Sequence, residues 1–405
     1  MVINGNPVKN YRIGNRTISS AMRIIDNAGY FLFGLFKKKG KDFINSGEKR
    51  KFLIIRLDDI GDVVLATPFI ETLKNKFPDS KIDLLVKHST KEVLNNNPCI
   101  NKVFEIEPFW MRTNHPSSIF KILSLVKKLR KGSYNTIFEL RGHPLNILFA
   151  YLCGGMNSAG YSSQGLGFLL TNAIVERKRK HQVERNLDIL RRTGIDCDNI
   201  SPRVMFSKQD RVFADEFFKK NGLNKKRFVV AIHAGAPWAP KRWPGERFSE
   251  LSDRIIEKFD ARVLFIGSRK EKPLINRIIE RMRNNKEAIN LAGMTSLGES
   301  EALLSKSSLF IGNDSGPMHI SSAVGTPTIA LFWGEGPSSF GPYGKNNEVI
   351  FKKDKCYGNA VQRMGKNCAC GSTPCKALLN IHVDDVFKVV KKYAISMKNL
   401  GKVEA

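Results

Sequence analysis

Long apolar runs are absent. No stretch of the 405 residues offers the roughly 18–20 consecutive apolar positions that a membrane-spanning helix needs, so a spanning segment is not expected. The apolar stretch at 28–36 follows Asp26 and lacks a small-residue cleavage site, unlike a secretory leader. Cysteine is scarce and odd in number. Seven residues do not build the disulfide framework of a small secreted domain, and they favour a reducing, cytoplasmic compartment. Acids are also in short supply. Thirty-eight Asp and Glu stand against 66 Lys and Arg, a formal net charge of +28. Such a surface draws polyanions: nucleic acid, an anionic membrane or a phosphorylated substrate. A basic surface that serves solubility alone is the plainer reading. The Lys and Arg are not interleaved with a stacking platform of aromatics, which speaks against nucleic acid. No G-x-G-x-x-G follows the first strand of either half, which speaks against a dinucleotide oxidoreductase.

What is present is ordinary globular material, 42% hydrophobic and 26% charged, and the length suits two or three domains. Residues 1–50 stand apart as a basic amphipathic extension. Ile18 to Phe36 carries Met22, Ile25, Tyr30, Phe31, Phe33, Leu35 and Phe36, followed by Lys37, Lys38, Lys39 and Lys41. Such a helix suits an anionic leaflet, and equally suits packing on the domain that follows. From Phe52 the pattern alternates strand and helix: Phe52–Arg56 a strand, 63–77 a helix, Ile82–Val86 and Val103–Ile106 strands, 117–129 a helix, Thr136–Leu140 a strand. Region 154–225 is less regular, with Lys219–Arg227 as the linker. A second alternating series runs from Phe228 to Phe332, and a last helix over 383–396 is placed back on the first domain. The alternation predicts two open α/β sheets: a first domain over 51–225, a second over 226–382 and a C-terminal helix over 383–405. In such sheets ligands bind at the carboxyl ends of the strands.

Four loops at those ends carry candidate chemistry. In Arg56-Leu57-Asp58-Asp59-Ile60-Gly61-Asp62, Gly61 permits a close turn and Asp62 opens a helix. Asp62 is either a general base, with its carboxylate at the sheet's edge, or an N-cap. Asp59 and Gly61 complete that loop. In the second half, His233-Ala234-Gly235-Ala236-Pro237-Trp238 leads to Lys241-Arg242-Trp243-Pro244, where small residues let amides approach phosphate and Lys241 or Arg242 neutralises it. Gly312-Asn313-Asp314-Ser315-Gly316-Pro317-Met318-His319 places Ser315 and Gly316 at a helix N-terminus, a ready anion site. There Asp314 either bonds a ribose hydroxyl or braces the loop, and His319 lies one turn inside. In Gly267-Ser268-Arg269-Lys270-Glu271, Glu271 contacts a ribose hydroxyl or begins a solvated helix. Met294 is placed to line a base pocket. Cys356, Cys368, Cys370 and Cys375 fall within twenty residues, but not at the C-x-x-C spacing of a zinc knuckle, so reduced thiols are weighed beside a metal cluster.

Taken together, RLDDIGDVVLATP (56–68), KRWP (241–244) and GNDSGPMHISSAVGTPTIALF (312–332) resemble glycosyltransferase family 9, the bacterial heptosyltransferases of lipopolysaccharide core synthesis. The resemblance spans roughly residues 50–390. It implies a GT-B fold of two Rossmann-like domains facing across a cleft, and inverting, metal-independent transfer without a cofactor. The donor it implies is a nucleotide sugar of ADP-heptose type, and the acceptor a phosphorylated glycolipid at the inner face of the cytoplasmic membrane. By the same resemblance Asp62 is the base, Lys241 meets phosphate, Asp314, Ser315 and Gly316 form the donor-binding loop with His319 as its histidine, and Glu271 takes the ribose. The cysteines before the last helix look like a family trait, and the long N-terminal extension departs from compact members. The rivals are a nucleotide-sugar epimerase or hydrolase, which consumes donor without acceptor, and a basic nucleic-acid binder.

Overall fold

The structure is a computed structural model that describes residues 16–36, 50–111, 113, 115–176, 178–197, 200–223, 227–334, 336–355 and 371–399. The chain divides into two compact units, 1–200 and 201–405. The first begins with helix α1 (Arg16–Phe36) and continues β1 (Lys51–Arg56), α2 (Ile60–Val64), α3 (Thr67–Lys76), β2 (Lys81–Val86), β3 (Lys102–Glu105), α4 (Ile119–Arg130), β4 (Thr136–Glu139), α5 (Pro144–Leu152), β5 (Asn157–Tyr161), β6 (Asn172–Ile174) and α6 (Gln182–Arg192). The second runs α7 (Lys208–Lys220), β7 (Val229–His233), α8 (Gly245–Phe259), β8 (Arg262–Phe265), α9 (Lys272–Glu280), β9 (Ala288–Asn290), α10 (Leu297–Lys306), β10 (Leu309–Asn313), α11 (Gly316–Ala323), β11 (Thr328–Leu331), β12 (Asn347–Ile350), α12 (Lys376–Leu379) and α13 (Val383–Asn399).

Each unit holds one parallel six-stranded sheet. The orders are β3-β2-β1-β4-β5-β6 and β12-β11-β10-β7-β8-β9. Read from either unit's own first strand, both are the 3-2-1-4-5-6 order of the doubly wound dinucleotide-binding fold. The strand order therefore reverses between β1 and β4 in one unit and between β7 and β10 in the other. Parallel strands covered on both faces read as unbroken apolar runs, and β1 (KFLIIR) and β7 (VVAIH) are buried almost throughout. Helices follow the complementary rule: α8 buries Phe248, Leu251, Ile255 and Phe259 on one stripe. Capping boxes start α7 at Ser207 and Asp210, and α10 at Ser296 and Glu299.

Three expectations are corrected. The helix expected over 63–77 is two helices, because Pro68 lies in the first turn of α3, where its missing N–H costs nothing, and the chain turns at Leu65–Ala66 before it. The domain boundary expected after 225 falls after residue 200. The helix α7 belongs to the second unit, buries Ala214 and Phe218, and packs on α10. The last helix, expected on the first domain, joins the second unit's core. Val383, Val386, Val390 and Ala394 of α13 are buried in one apolar cluster with Phe248, Leu251 and Ile255 of α8.

In the extension, α1 packs against the turn at 167–169. Asp26 is buried and accepts from the Leu166 amide at 2.7 Å. Tyr30 meets Phe168 edge to face, with centroids 6.0 Å apart. The opposite side leaves Ile24, Phe31 and Leu32 in solvent. The lysine run 37–41 lies outside the described residues. No helix among the described residues is long and apolar enough to cross a membrane.

Candidate active site

Asp62, Lys241, Asp314 and Ser315 follow the strands at the two points where the strand order reverses, whereas Glu271 and Met294 follow β8 and β9. In the first unit, β1 ends on Arg56, whose buried guanidinium organises the loop after it. Arg56 donates to the Leu140 carbonyl beyond β4 at 3.0 Å and to Asp62 Oδ1 at 2.8 Å, and its Nε lies 3.1 Å from Asp58 Oδ2. Arg141 pairs with the same buried Asp58, and Lys87, at the end of β2, pairs with Asp59 at 2.5 Å. The loop is therefore not a bare patch of acid: each aspartate faces a cation held by the same sheet edge. Asp62 is not itself the N-cap, though its carboxylate accepts from the Asp59 backbone N–H at the start of α2. The N-cap of α2 is Asp59, extended and largely exposed, and Asp62 sits in the first turn beyond it. The Asp62 side chain remains 23% accessible. Burial raises its pKa above the ordinary aspartate value, and this outweighs the opposing pull of Arg56. A carboxylate with a raised pKa that can still be reached is what proton abstraction calls for. Gly61 is buried in the turn between them.

Sequence reading passed over Arg141, Lys87 and Glu139. Glu139 ends β4 fully buried, bonded by the amides of Arg141 and Gly142 and by Asn146, and burial raises its pKa. It fixes the turn that presents Arg141, whose side chain is 39% accessible. Arg141 directly follows the strand next to β1 across the reversal point, and that position was the available signal.

In the second unit, Lys241 ends a short 3₁₀ turn over 239–241. Its ammonium pairs with Asp314 Oδ2 at 2.7 Å and lies 4.9 Å from the centroid of the Trp333 ring. The Trp333 indole N–H donates to the same oxygen at 3.0 Å. Asp314 is thus a brace that aims Lys241. Asn313 ties the two loops together, donating to the carbonyls of Ala234 and Gly235 and accepting from the Trp243 amide. Ser315 is the N-cap of α11 but makes no side-chain cap bond. Its hydroxyl lies 3.1 Å from His233 Nδ1 and donates to the Asn313 carbonyl at 3.1 Å; Pro317 has no N–H and the Met318 amide bonds the Ser315 carbonyl, so the Gly316 amide is the donor at the start of α11 suited to an anion. His319 is buried within that helix.

Glu271 closes a buried chain. One carboxylate oxygen accepts from the Ser268 amide and hydroxyl, each at 2.8 Å; the other lies 3.4 Å from His233 Nε2. Burial opposes ionisation, but the bonds from His233 and Ser268 prevail and hold the pKa at about 2. The Ser315 hydroxyl spends its one proton on the Asn313 carbonyl, and His233 stands between the two groups, with Nδ1 toward Ser315 and Nε2 toward Glu271. This contact requires glycine at 235, where an added Cβ would lie 1.7 Å from Glu271 Oε1. Glu271 is therefore more than a solvated helix start. Oε2 spends both lone pairs on Ser268, whereas Oε1 keeps a second one, so acceptance from a sugar hydroxyl is still open there. Met294 is 63% exposed beside this loop. Cys356, Cys368 and Cys370 lie outside the described residues; Cys375 is buried in the second unit's core. Among the described residues no group of three or more His, Cys, Asp or Glu is placed to hold a metal ion.

Two Rossmann-like units, one with a reachable carboxylate and the other with a lysine beside a helix N-terminus, define the class: a GT-B glycosyltransferase fold. The chain belongs to glycosyltransferase family 9 (heptosyltransferase), whose model matches residues 122–368. It is 31% identical over 281 residues to lipopolysaccharide heptosyltransferase 3 of Escherichia coli K12, covering 67% of this chain and 79% of that one. Among solved structures, a family 9 glycosyl transferase from Veillonella parvula superposes with a TM-score of 0.76 at 24% identity, covering 87% of this chain and all of that one. The Escherichia coli ADP-heptose lps heptosyltransferase II superposes at 0.69 and 20% identity, covering 86% and 99%.

Proposed function

We propose that this glycosyltransferase moves heptose from ADP-heptose to the core of a phosphorylated lipopolysaccharide precursor, at the cytoplasmic face of the membrane and without a metal. The observation that carries the reading is Asp62: a carboxylate of raised pKa, held by Arg56 at the reversal point of the first sheet and still accessible. The first unit takes the acceptor. Asp62 removes the proton of one acceptor hydroxyl, and Arg141, still accessible, supplies positive charge for acceptor phosphates. The second unit takes the donor, with Lys241 and the Gly316 amide on the diphosphate, His319 beside them, Glu271 on the ribose and Met294 against the base.

In the chemical step the acceptor oxygen bonds to the anomeric carbon as the bond from that carbon to the diphosphate oxygen breaks. ADP leaves with the electron pair, and the anomeric centre inverts. Charge growing on ADP is met by Lys241 and the Gly316 amide, groups already in place before the step. The basic surface and the outer side of α1, with Ile24, Phe31 and Leu32 exposed, suit attachment to an anionic leaflet.

Asp62→Asn tests the reading. Transfer falls by roughly 10²–10⁴-fold, the usual worth of a positioned base, while ADP binding is unchanged. Turnover equal to the parent protein's refutes the assignment. Donor breakdown at full rate without acceptor replaces transfer by hydrolysis.

A further inference from the structure

We propose that α4 is a second membrane-docking element, which seats the first unit on anionic lipid through its solvent-facing side. Buried Ile122 and Leu129 fix that helix's inner side, packed with Phe149 and Ala150 of α5. At about 100° per residue Phe120, Lys127 and Lys131 lie opposite them, Leu123 lies on the flank beside Phe120 and Lys127, and Ile119 lies nearer the inner side, about 60° from Ile122. Phe120 is 80% exposed, and Ile119 and Leu123 are about half exposed. A soluble surface gains nothing by holding a phenylalanine in water one turn from an exposed leucine. An interfacial helix does, because the apolar turn enters the acyl boundary while the basic turns stay among the headgroups.

The charge pattern selects the partner. Between Glu107 and Glu139 the sequence contains no acid, and α4 with the residue after it carries Lys121, Lys127, Lys128, Arg130 and Lys131. A protein partner would have to bring acids and an apolar pocket together, whereas an anionic bilayer offers both as a continuous surface. Most of the large apolar side chains that the first unit leaves in solvent lie on α1, α4 and α5. The helix α5 packs on α4 and also on the 167–169 turn that seats α1. The proposal rests on the reading of the acceptor as a membrane glycolipid, since an enzyme whose acceptor stays in the bilayer gains from holding its acceptor-side unit there.

The test uses the full chain and vesicles of phosphatidylethanolamine with or without phosphatidylglycerol. Sedimentation with the phosphatidylglycerol vesicles is expected to fall about 30-fold for Lys127→Gln with Lys131→Gln, each lysine contributing about fivefold near an anionic surface. It is expected to fall at least about tenfold for Phe120→Ser with Leu123→Ser. Transfer to a detergent-dispersed acceptor and the melting temperature stay at parent values for both. Hydrogen exchange on the unmodified chain gives an independent reading: amides of 119–131 gain protection when these vesicles are added. Parent-level sedimentation of both double variants, or unchanged exchange over 119–131, overturns the proposal. Equal sedimentation with vesicles lacking phosphatidylglycerol overturns its choice of partner. A chain that transfers to no acceptor yet loses vesicle binding in the α4 variants refutes the transferase reading and leaves the docking surface standing.

Discussion

The proposed mechanism gives Lys241 a second job beside its pairing with Asp314, and replacing it by methionine separates the two. The ammonium has three donors, and one is spent on Asp314 at 2.7 Å, which leaves two for a diphosphate without breaking the brace. Losing a charge-assisted bond of about 1.5–3 kcal/mol raises the Kd for ADP roughly 10–150-fold. The second effect is structural. The Asp314 side chain is only 10% accessible, and without Lys241 it keeps the Trp333 indole N–H as its remaining partner from this cluster. A half-satisfied buried carboxylate costs about 1–3 kcal/mol, or roughly 2–12 °C in Tm for a unit of this size. Asp314→Asn in the Lys241→Met background removes the stranded charge. It should restore most of the lost Tm and none of the lost affinity. Calorimetric titration with ADP and thermal denaturation of the single and double variants provide the assay. An ADP Kd within about twofold of the parent value for Lys241→Met refutes the reasoning. So does a double variant that recovers affinity along with Tm, because the loss would then have come from a distorted loop.

Four other outcomes follow. Because burial raises the Asp62 pKa and only its ionised form accepts a proton, kcat/KM rises with pH along a limb above the ordinary aspartate range; a limb near pH 4 or none contradicts this. Glu271, held at about 2, gives stability that is present above its unfolded value of 4.5 and lost as pH falls toward 2, so Glu271→Gln flattens the acid-side loss of Tm between those values. Gly235→Ala puts a methyl onto Glu271 Oε1 and should weaken ADP binding at least about tenfold, as the His233–Ser315 chain moves; an unchanged Kd contradicts the arrangement. As to metal, transfer should persist in EDTA, and elemental analysis of the purified chain tests the cysteine set at 356, 368, 370 and 375; loss of transfer on chelation with recovery on adding metal back contradicts metal-independent transfer.

The fold was legible where strands were buried on both faces. FLIIR, FVVAI and LFI announce themselves as β1, β7 and β10, and these flank the reversal points. β5 (NSAGY), β6 (NAI), β9 (AIN) and β12 (NEVI) escaped, being short or polar and near a sheet edge, where pairing to neighbours rather than apolar pattern makes the strand. The place of α13 was hidden because its apolar stripe says that it packs, not on what. In the site, loops after predicted strands located Asp62, Lys241, Glu271 and Ser315. Pairings across long stretches of sequence were not legible: Asp314 as the brace of Lys241, His233 between Glu271 and Ser315, and Arg141 on Asp58 exist only once strand order brings their loops together.

The most direct measurement is mass spectrometry of a heptose-deficient core glycolipid incubated with ADP-heptose and the full chain, with released ADP counted in parallel. The account predicts acceptor bearing one added heptose for each ADP formed, and neither product above background with Asp62→Asn. Unmodified acceptor, or ADP released at the same rate when acceptor is left out, contradicts it.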